Sequence, residues 1–254
     1  VTLKAPSLPG IIDPVKSLLG EKTPVIFGMN GILWWYFYGL DPVGSERRIA
    51  RLDPGDRWWN EIGPERVIGG VVYSANEVVA PGVVEHRSSG RSQLRIAEPT
   101  GQASARVAEI NAVLEAAGMA AEVNDIRATI WEKLLANISY GPIACLTGAT
   151  ITDILENAEL RALATEIMDE AIATARALGT ELGVTAEERI RNTRSRGHKP
   201  SILQDLERGR AMEIDALVVV PQELAHASGI PTPALDRVSA LLKERARLAG
   251  TYDG

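Results

Sequence analysis

The chain has 254 residues, 45% of them hydrophobic and 24% charged, the composition of one large or two ordinary globular domains, which excludes disordered and fibrous classes. No apolar run approaches the roughly 18 residues that span a bilayer, and a formal net charge of −6 argues against a general nucleic-acid binder, which needs an excess of basic residues on one face. A single cysteine, Cys145, allows no internal disulfide and no cysteine-built metal site, and fits a reducing, cytoplasmic compartment; His86, His198 and His226 are too scattered for a zinc motif.

Without an initiator Met or a signal pattern, residues 1–5 read as the tail of a buried strand continuing from a longer chain, followed by turns at Pro6 and Pro9. Residues 11–19 have helical apolar spacing stopped by Gly20, and 24–28 form a short apolar run typical of a strand buried on both faces. Residues 33–64 are rich in Gly, Pro and aromatics and too long for an ordinary connection, so they predict an inserted functional loop or lid. A β-rich run follows at 67–73, then alternation over 76–95 predicts a hairpin turning near Pro81-Gly82, and 102–117 an amphipathic helix ended by Gly118. Beyond a boundary near residue 124 the pattern is helical throughout. Asp125 is placed to cap a helix through Ile130, Leu134 and Ile138, and further helices are predicted over 151–179, 185–195, 201–208, 211–228 and 232–248. The expected organisation is therefore an α/β part over 1–124 and an all-α part over 125–254.

Two biases single out residues. Only 6 of the 27 basic residues are lysines, and between Lys22 and Lys199 the only one is Lys133; Arg cannot release its proton near neutral pH, whereas a partly buried Lys can. Lys133 shares a helical face with Asn137, four residues on, so it is either a solvated lysine on an ordinary amphipathic helix or a proton donor beside an amide. Seven of the 12 aromatic residues fall between Trp34 and Trp59, which suggests an apolar lid or dimer contact more than a base-stacking platform.

Three further features each carry a structural and a chemical reading. Ser201-Ile202-Leu203-Gln204 has capping-box form, and a helix N-terminus with a free hydroxyl also suits a carboxylate. Glu213 opens an apolar helix, as a first-turn acid complementing the dipole or as a carboxyl perturbed by its surroundings. Arg189, Arg191, Arg194, Arg196 and Lys199 form a solvated basic face or an anion lid. No G-x-G-x-x-G pattern follows a strand, since Gly69-Gly70 lies inside one.

Met29-Asn30-Gly31-Ile32, Val67-Ile68-Gly69-Gly70-Val71, Ile130-Trp131-x-Lys133-Leu134-x-x-Asn137, Ser201-x-Leu203-Gln204-Asp205-Leu206, Glu213-Ile214-Asp215 and Gly229-Ile230-Pro231-Thr232-Pro233 occur in an order that, with Val1-Thr2-Leu3-Lys4-Ala5, resembles the ketopantoate reductase (2-dehydropantoate 2-reductase) family over nearly the whole chain. The resemblance implies a partial Rossmann-type NADPH-binding domain beginning at its fourth strand, with roughly 60 to 80 residues and the phosphate-binding glycines lying upstream, then a helical domain. It implies NADPH-dependent reduction of a small 2-oxo acid by a homodimer, with Lys133 as general acid and Glu213 at the polar end of the substrate. Asn30 and Asn137 would orient substrate and cofactor, Ser201 would bind the substrate carboxylate, and Lys4 would lie near the cofactor. One departure is Gly141 where the family has a second helix asparagine; Gly141-Pro142 is expected to end or kink the helix. With the aromatic stretch as a roof, this implies a bulkier or less hydroxylated substrate than ketopantoate. The contrasting expectation is a non-catalytic helical dimer module that has lost cofactor binding.

Overall fold

The computed structural model describes residues 1–40, 47–74, 76–86, 92–193, 197 and 199–254. It divides into two compact units, one of Val1–Asn30 with Trp34–Thr129 and one of Gly31–Leu33 with Ile130–Gly254.

In the first unit β1 (Val25–Gly28) runs parallel to β2 (Val67–Tyr73), with Val25 opposite Val67 and Gly28 opposite Gly70. β3 (Asn76–Ala80) and β4 (Val83–His86) form the expected hairpin around Pro81-Gly82. The third part of the predicted alternation is not a hairpin arm: β5 (Gln93–Ala97) returns antiparallel to β2, and β6 (Ala120–Glu122) closes the sheet parallel to β5, giving the order β1-β2-β5-β6. Residues 1–5 form no strand. Val1 alone bridges β1, donating to the Ile26 carbonyl at 2.7 Å and accepting from the Gly28 N–H at 3.0 Å, a parallel pairing opposite Phe27. Ala5–Ile11 is then a 3₁₀ helix with a proline in its first turn, leading into α1 (Ile12–Ser17).

One sheet face, with Ile26, Ile68, Leu94 and Ile96, packs on Val107, Ile110 and Leu114 of α2 (Ala105–Ala116), whose first turn is capped by the Ser104 hydroxyl. The other carries Phe27 edge-on to Trp34 and Trp58 at 5.6 and 5.3 Å, with those indoles stacked at 6.1 Å. Trp34, Trp35, Tyr36 and Trp58 are all fully buried. The aromatic stretch is thus core rather than the expected lid or roof, because rings of this size bury too much apolar area to be left over solvent; its residues 41–46 lie outside the described ones. The buried Asp53 carboxylate accepts the N–H groups of Trp58 and Trp59, both at 2.9 Å, and so holds the π-helical turn Trp58–Ile62; burial pushes its carboxyl pKa up. Gly69 is bare because a Cβ would lie 2.6 Å from Ile126 and 2.8 Å from Trp35.

α3 (Ile126–Thr147) starts in the first unit and continues in the second. Asp125 caps it as expected, accepting from the N–H groups of Arg127 at 2.8 Å and Ala128 at 3.0 Å. Pro142 neither ends nor interrupts it. The steric penalty proline imposes on its predecessor falls partly on Cβ, and Gly141 has none. A Cβ there would lie 2.9 Å from Cγ2 of the buried Ile202.

The rest of the second unit is helical among the described residues: α4 (Ile151–Glu156), α5 (Ala158–Ala177), α6 (Ala186–Arg191), α7 (Ser201–Glu207), α8 (Val220–Ala227) and α9 (Pro233–Leu248). The single helix expected over 151–179 breaks at Asn157, whose side chain caps α5. α5 presents Ala164, Ala171 and Ala175 inward, which lets α8 and α9 approach, and its Glu170 carboxylate takes the Ala234 and Leu235 N–H groups at the start of α9.

At the start of α3, the 5%-exposed Arg127 donates to the carbonyls of Tyr36 at 2.7 Å, Tyr38 at 2.6 Å and Pro99. Arg127→Leu strands three acceptors, two of them buried, so a loss of about 3 kcal/mol is expected in urea denaturation; an unchanged midpoint would show that water satisfies them.

Candidate functional site

In the second unit, Lys133 and Asn137 stand one turn apart on α3, both half-buried. Ile130, Leu134 and Ile138 are buried beside them, and Trp131 and Leu135 are too, so α3 is apolar around most of its circumference. Burial pushes the Lys133 ammonium down to about 8, and the charge of Glu213 acts in the opposite direction, favouring the protonated form.

Glu213 is 5% exposed and precedes the helical turn Asp215–Val219. Glu213 stands at the start of that helix, its carbonyl accepting from the Leu217 N–H at 3.1 Å, with Asp215 the acid inside the first turn. Its segment is fixed on both sides. The Met212 N–H donates to the Thr251 carbonyl at 3.0 Å, and the Tyr252 hydroxyl donates to Asp215 at 2.6 Å. Residues 31–33 join the same construction: the Ile32 N–H donates to the Ala216 carbonyl at 2.9 Å. Gly31 has φ +77°, and a Cβ on it would lie 2.4 Å from the Ala216 oxygen, so only glycine passes there.

Ser201 is exposed and forms no capping box. The extended Pro200 takes the cap position, and its carbonyl accepts from the N–H groups of Leu203 at 3.0 Å and Gln204 at 3.1 Å. Ser201 therefore stands in the first turn of α7 with no cap bond of its own, next to the Ile202 that abuts Gly141. Arg191 pairs with Glu188 at 3.9 Å and Lys199 with Glu207 at 2.6 Å, as a solvated basic face would; Arg194, Arg196 and His198 lie outside the described residues. Cys145 is buried, with its thiol pushed up to about 12, and is protonated at any ordinary pH.

In the first unit, Lys4 and Asn30 each follow the Val1–Phe27 bridge by three residues, just beyond the carboxyl end of the bridged segments. Both are half-buried. Tyr73, at the end of β2, carries the Arg95 guanidinium over its ring at 4.5 Å. The sequence offers no motif for Arg95; only its β5 register, opposite Val71, brings it diagonally to Tyr73. Among the described residues no group of His, Cys, Asp or Glu could hold a metal, and no helix is long and apolar enough to cross a membrane.

A family model described as the ketopantoate reductase PanE/ApbA C terminal matches residues 125–246. A 2-dehydropantoate 2-reductase of Mesorhizobium japonicum is 44% identical over 99% of this chain and 77% of its own length. Among solved structures, one from Ralstonia solanacearum MolK2 assigned to the ketopantoate reductases is 35% identical, with a TM-score of 0.91 over 99% of this chain and 77% of that one. A 2-dehydropantoate 2-reductase from Geobacter metallireducens is 26% identical, with a TM-score of 0.77 over 96% of this chain and 75% of that one. An α/β unit joined to a helical unit that holds a dehydrated lysine under the influence of a buried carboxylate is, in this company, an oxidoreductase. The chain belongs to the ketopantoate reductase family.

The opposing effects on Lys133 are separable. In an NMR titration of its side chain, the wild-type midpoint is expected near 8 and that of Glu213→Gln lower, because burial then acts without the carboxylate. A midpoint unmoved by the substitution would assign the value to burial alone.

Proposed function

We propose that this chain carries out NADPH-dependent reduction of a small 2-oxo acid of the ketopantoate type to the 2-hydroxy acid, with Lys133 as the general acid. The observation that carries the reading is the dehydrated Lys133, whose ammonium is held near 8 by burial and by Glu213. A cation that can release its proton close to working pH is what addition to a carbonyl requires, because charge develops on oxygen in the transition state. The name of the Mesorhizobium japonicum relative supports the substrate class.

Two residues of the first unit suit a nicotinamide dinucleotide. Lys4 and Asn30 lie where Val1 and β1, parallel neighbours, end, the sheet edge at which open α/β folds take such ligands, and they supply a cation and an amide there. When bound, the dinucleotide supplies hydride to C2 of the 2-oxo acid. Lys133 donates a proton to the C2 oxygen, leaving a neutral amine that solvent reprotonates. Glu213 keeps the lysine protonated before the reaction and holds the polar end of the substrate. Asn30 and Asn137 orient cofactor and substrate, and Ser201, exposed beside the Pro200 cap, binds the substrate carboxylate.

Lys133→Ala should lower kcat for reduction by roughly 10² to 10⁴ with cofactor affinity unchanged, and Lys133→Arg should not restore it, since guanidinium holds its proton too tightly. Because reduction consumes the protonated lysine, its rate should fall as pH rises through about 8, while oxidation of the 2-hydroxy acid rises through the same midpoint. Near-normal kcat in Lys133→Ala would remove Lys133 from the role.

Gly141 offers no amide one turn beyond Asn137, and Ile202 fills the space a side chain would need. A substrate hydroxyl at that point loses a partner, and sites that pair a hydroxyl discriminate far more strongly than apolar ones. In a panel of 2-oxo acids, kcat/KM should favour branched, unhydroxylated members over ketopantoate; the opposite order would give the hydroxyl another partner, such as Ser139 or Tyr140.

A further inference from the structure

The sheet edge that carries Lys4 and Asn30 ends in a second polar group. Arg95 stands opposite Val71 in the β2–β5 register, yet its guanidinium lies over Tyr73, two residues farther along β2. The side chain therefore leans toward the carboxyl end of β2, three residues past Gly70, where the parallel pairing with β1 stops. Long side chains reach such diagonal neighbours readily.

The Arg95 guanidinium carbon lies 4.5 Å from the centre of the Tyr73 ring, a contact that restrains the side chain. Arg95 is half-buried, and no carboxylate or carbonyl among the described residues takes its N–H groups. Elsewhere in this unit a buried or half-buried guanidinium is consumed: Arg127 by three carbonyls, Arg106 by Glu98 with the carbonyls of Glu65 and Val67. Arg95 differs from these two in lying over a ring rather than against carbonyls or a carboxylate.

The surroundings are polar and tied together. The Ser74 and Ser92 hydroxyls meet at 2.7 Å, Asn76 Nδ2 donates to Ser74 at 2.8 Å, and His86 Nδ1 lies 2.9 Å from Asn76 Oδ1. This network braces the base of the β3–β4 hairpin immediately after Tyr73.

We propose that Arg95, restrained over Tyr73, recognises an oxyanion of the small ligand at this edge, its forked N–H groups taking two oxygens of a carboxylate or a phosphate. Planar, delocalised and permanently charged, a guanidinium matches such groups in a way an ammonium cannot. The inference deepens the proposed function, and rests on it for the source of the anion: the carboxylate of the 2-oxo acid or a phosphate of the dinucleotide.

Titration calorimetry of the protein and of Arg95→Leu, Arg95→Lys and Tyr73→Leu, with NADPH, NADH and the inert 2-oxo acid analogue oxamate as probes, tests it. In Arg95→Leu at least one dissociation constant should rise tenfold or more, Arg95→Lys should recover little of the loss, and Tyr73→Leu should show part of it. Weakening of NADPH alone assigns the 2′-phosphate, equal weakening of both dinucleotides the pyrophosphate, and weakening of oxamate alone the carboxylate. Values within twofold of wild type for all three probes in Arg95→Leu, with thermal denaturation showing the variant folded, overturn the inference. If Arg95→Leu does not fold, Arg95→Lys with wild-type affinities does the same. A wild type that reduces 2-oxo acids while Arg95→Leu matches it leaves the proposed function standing. Anion binding through Arg95 without reduction of any 2-oxo acid overturns that function alone.

Discussion

The constraint on which most of the first unit depends is the place found for one buried cation. Arg127 lies at the start of α3, where desolvation pulls against its charge, and a guanidinium cannot respond by giving up its proton. Removing such an ion from water costs several kcal/mol, and charge-assisted hydrogen bonds offset about 1.5–3 kcal/mol each. Only several bonds at once can balance this, which is why the carbonyls of Tyr36, Tyr38 and Pro99 converge on it. Two stretches far apart in sequence, one at Tyr36 and Tyr38 and one at Pro99, are thereby held to the first turn of one helix. Next door, Glu98 is fixed by Arg106 and Ser104, which hold its carboxyl below its usual range, so the segment after β5 is gripped from both sides.

Six residues farther along α3, the same physics is turned to another end. Burial favours the uncharged form of any ionisable group. At Cys145 nothing strong opposes it, and the thiol is left inert. At Lys133, also on α3, Glu213 opposes it, and the balance falls close to neutrality. The helix thus holds one silent group and one poised group.

How much of this the sequence discloses varies with the kind of signal. β1 and β2 are apolar runs bounded by Gly and turn residues, and Asp125 announces the start of α3, so these are legible. Pro142 misleads, because part of the penalty proline imposes falls on the Cβ of the residue before it, and Gly141 lacks one. Ser201 misleads for a related reason: capping-box spacing says nothing about whether the preceding proline has already taken the cap. The tryptophans stand out by composition, but composition cannot tell a roof from a core, and it is their packing on Phe27 that settles the matter. Lys133 is conspicuous as a solitary lysine and by resemblance. The segment around Glu213 shows neither its burial nor its ties in the sequence, since its partners lie at positions 31–33 and 251–252.

Those ties bear on how the chain acquires its shape. α4, α5 and α6 are built from bonds between residues three or four apart, with caps drawn from their own ends, so they can form as soon as the local chain is free to coil. The strand-like grip on residues 212–216 cannot. Ala216 waits for Ile32, on the far side of the whole first unit, and loops closed over such separations form slowly because their entropy is spent before any contact returns it. The carboxylate that acts on Lys133 is consequently positioned by contacts that are far from local in sequence.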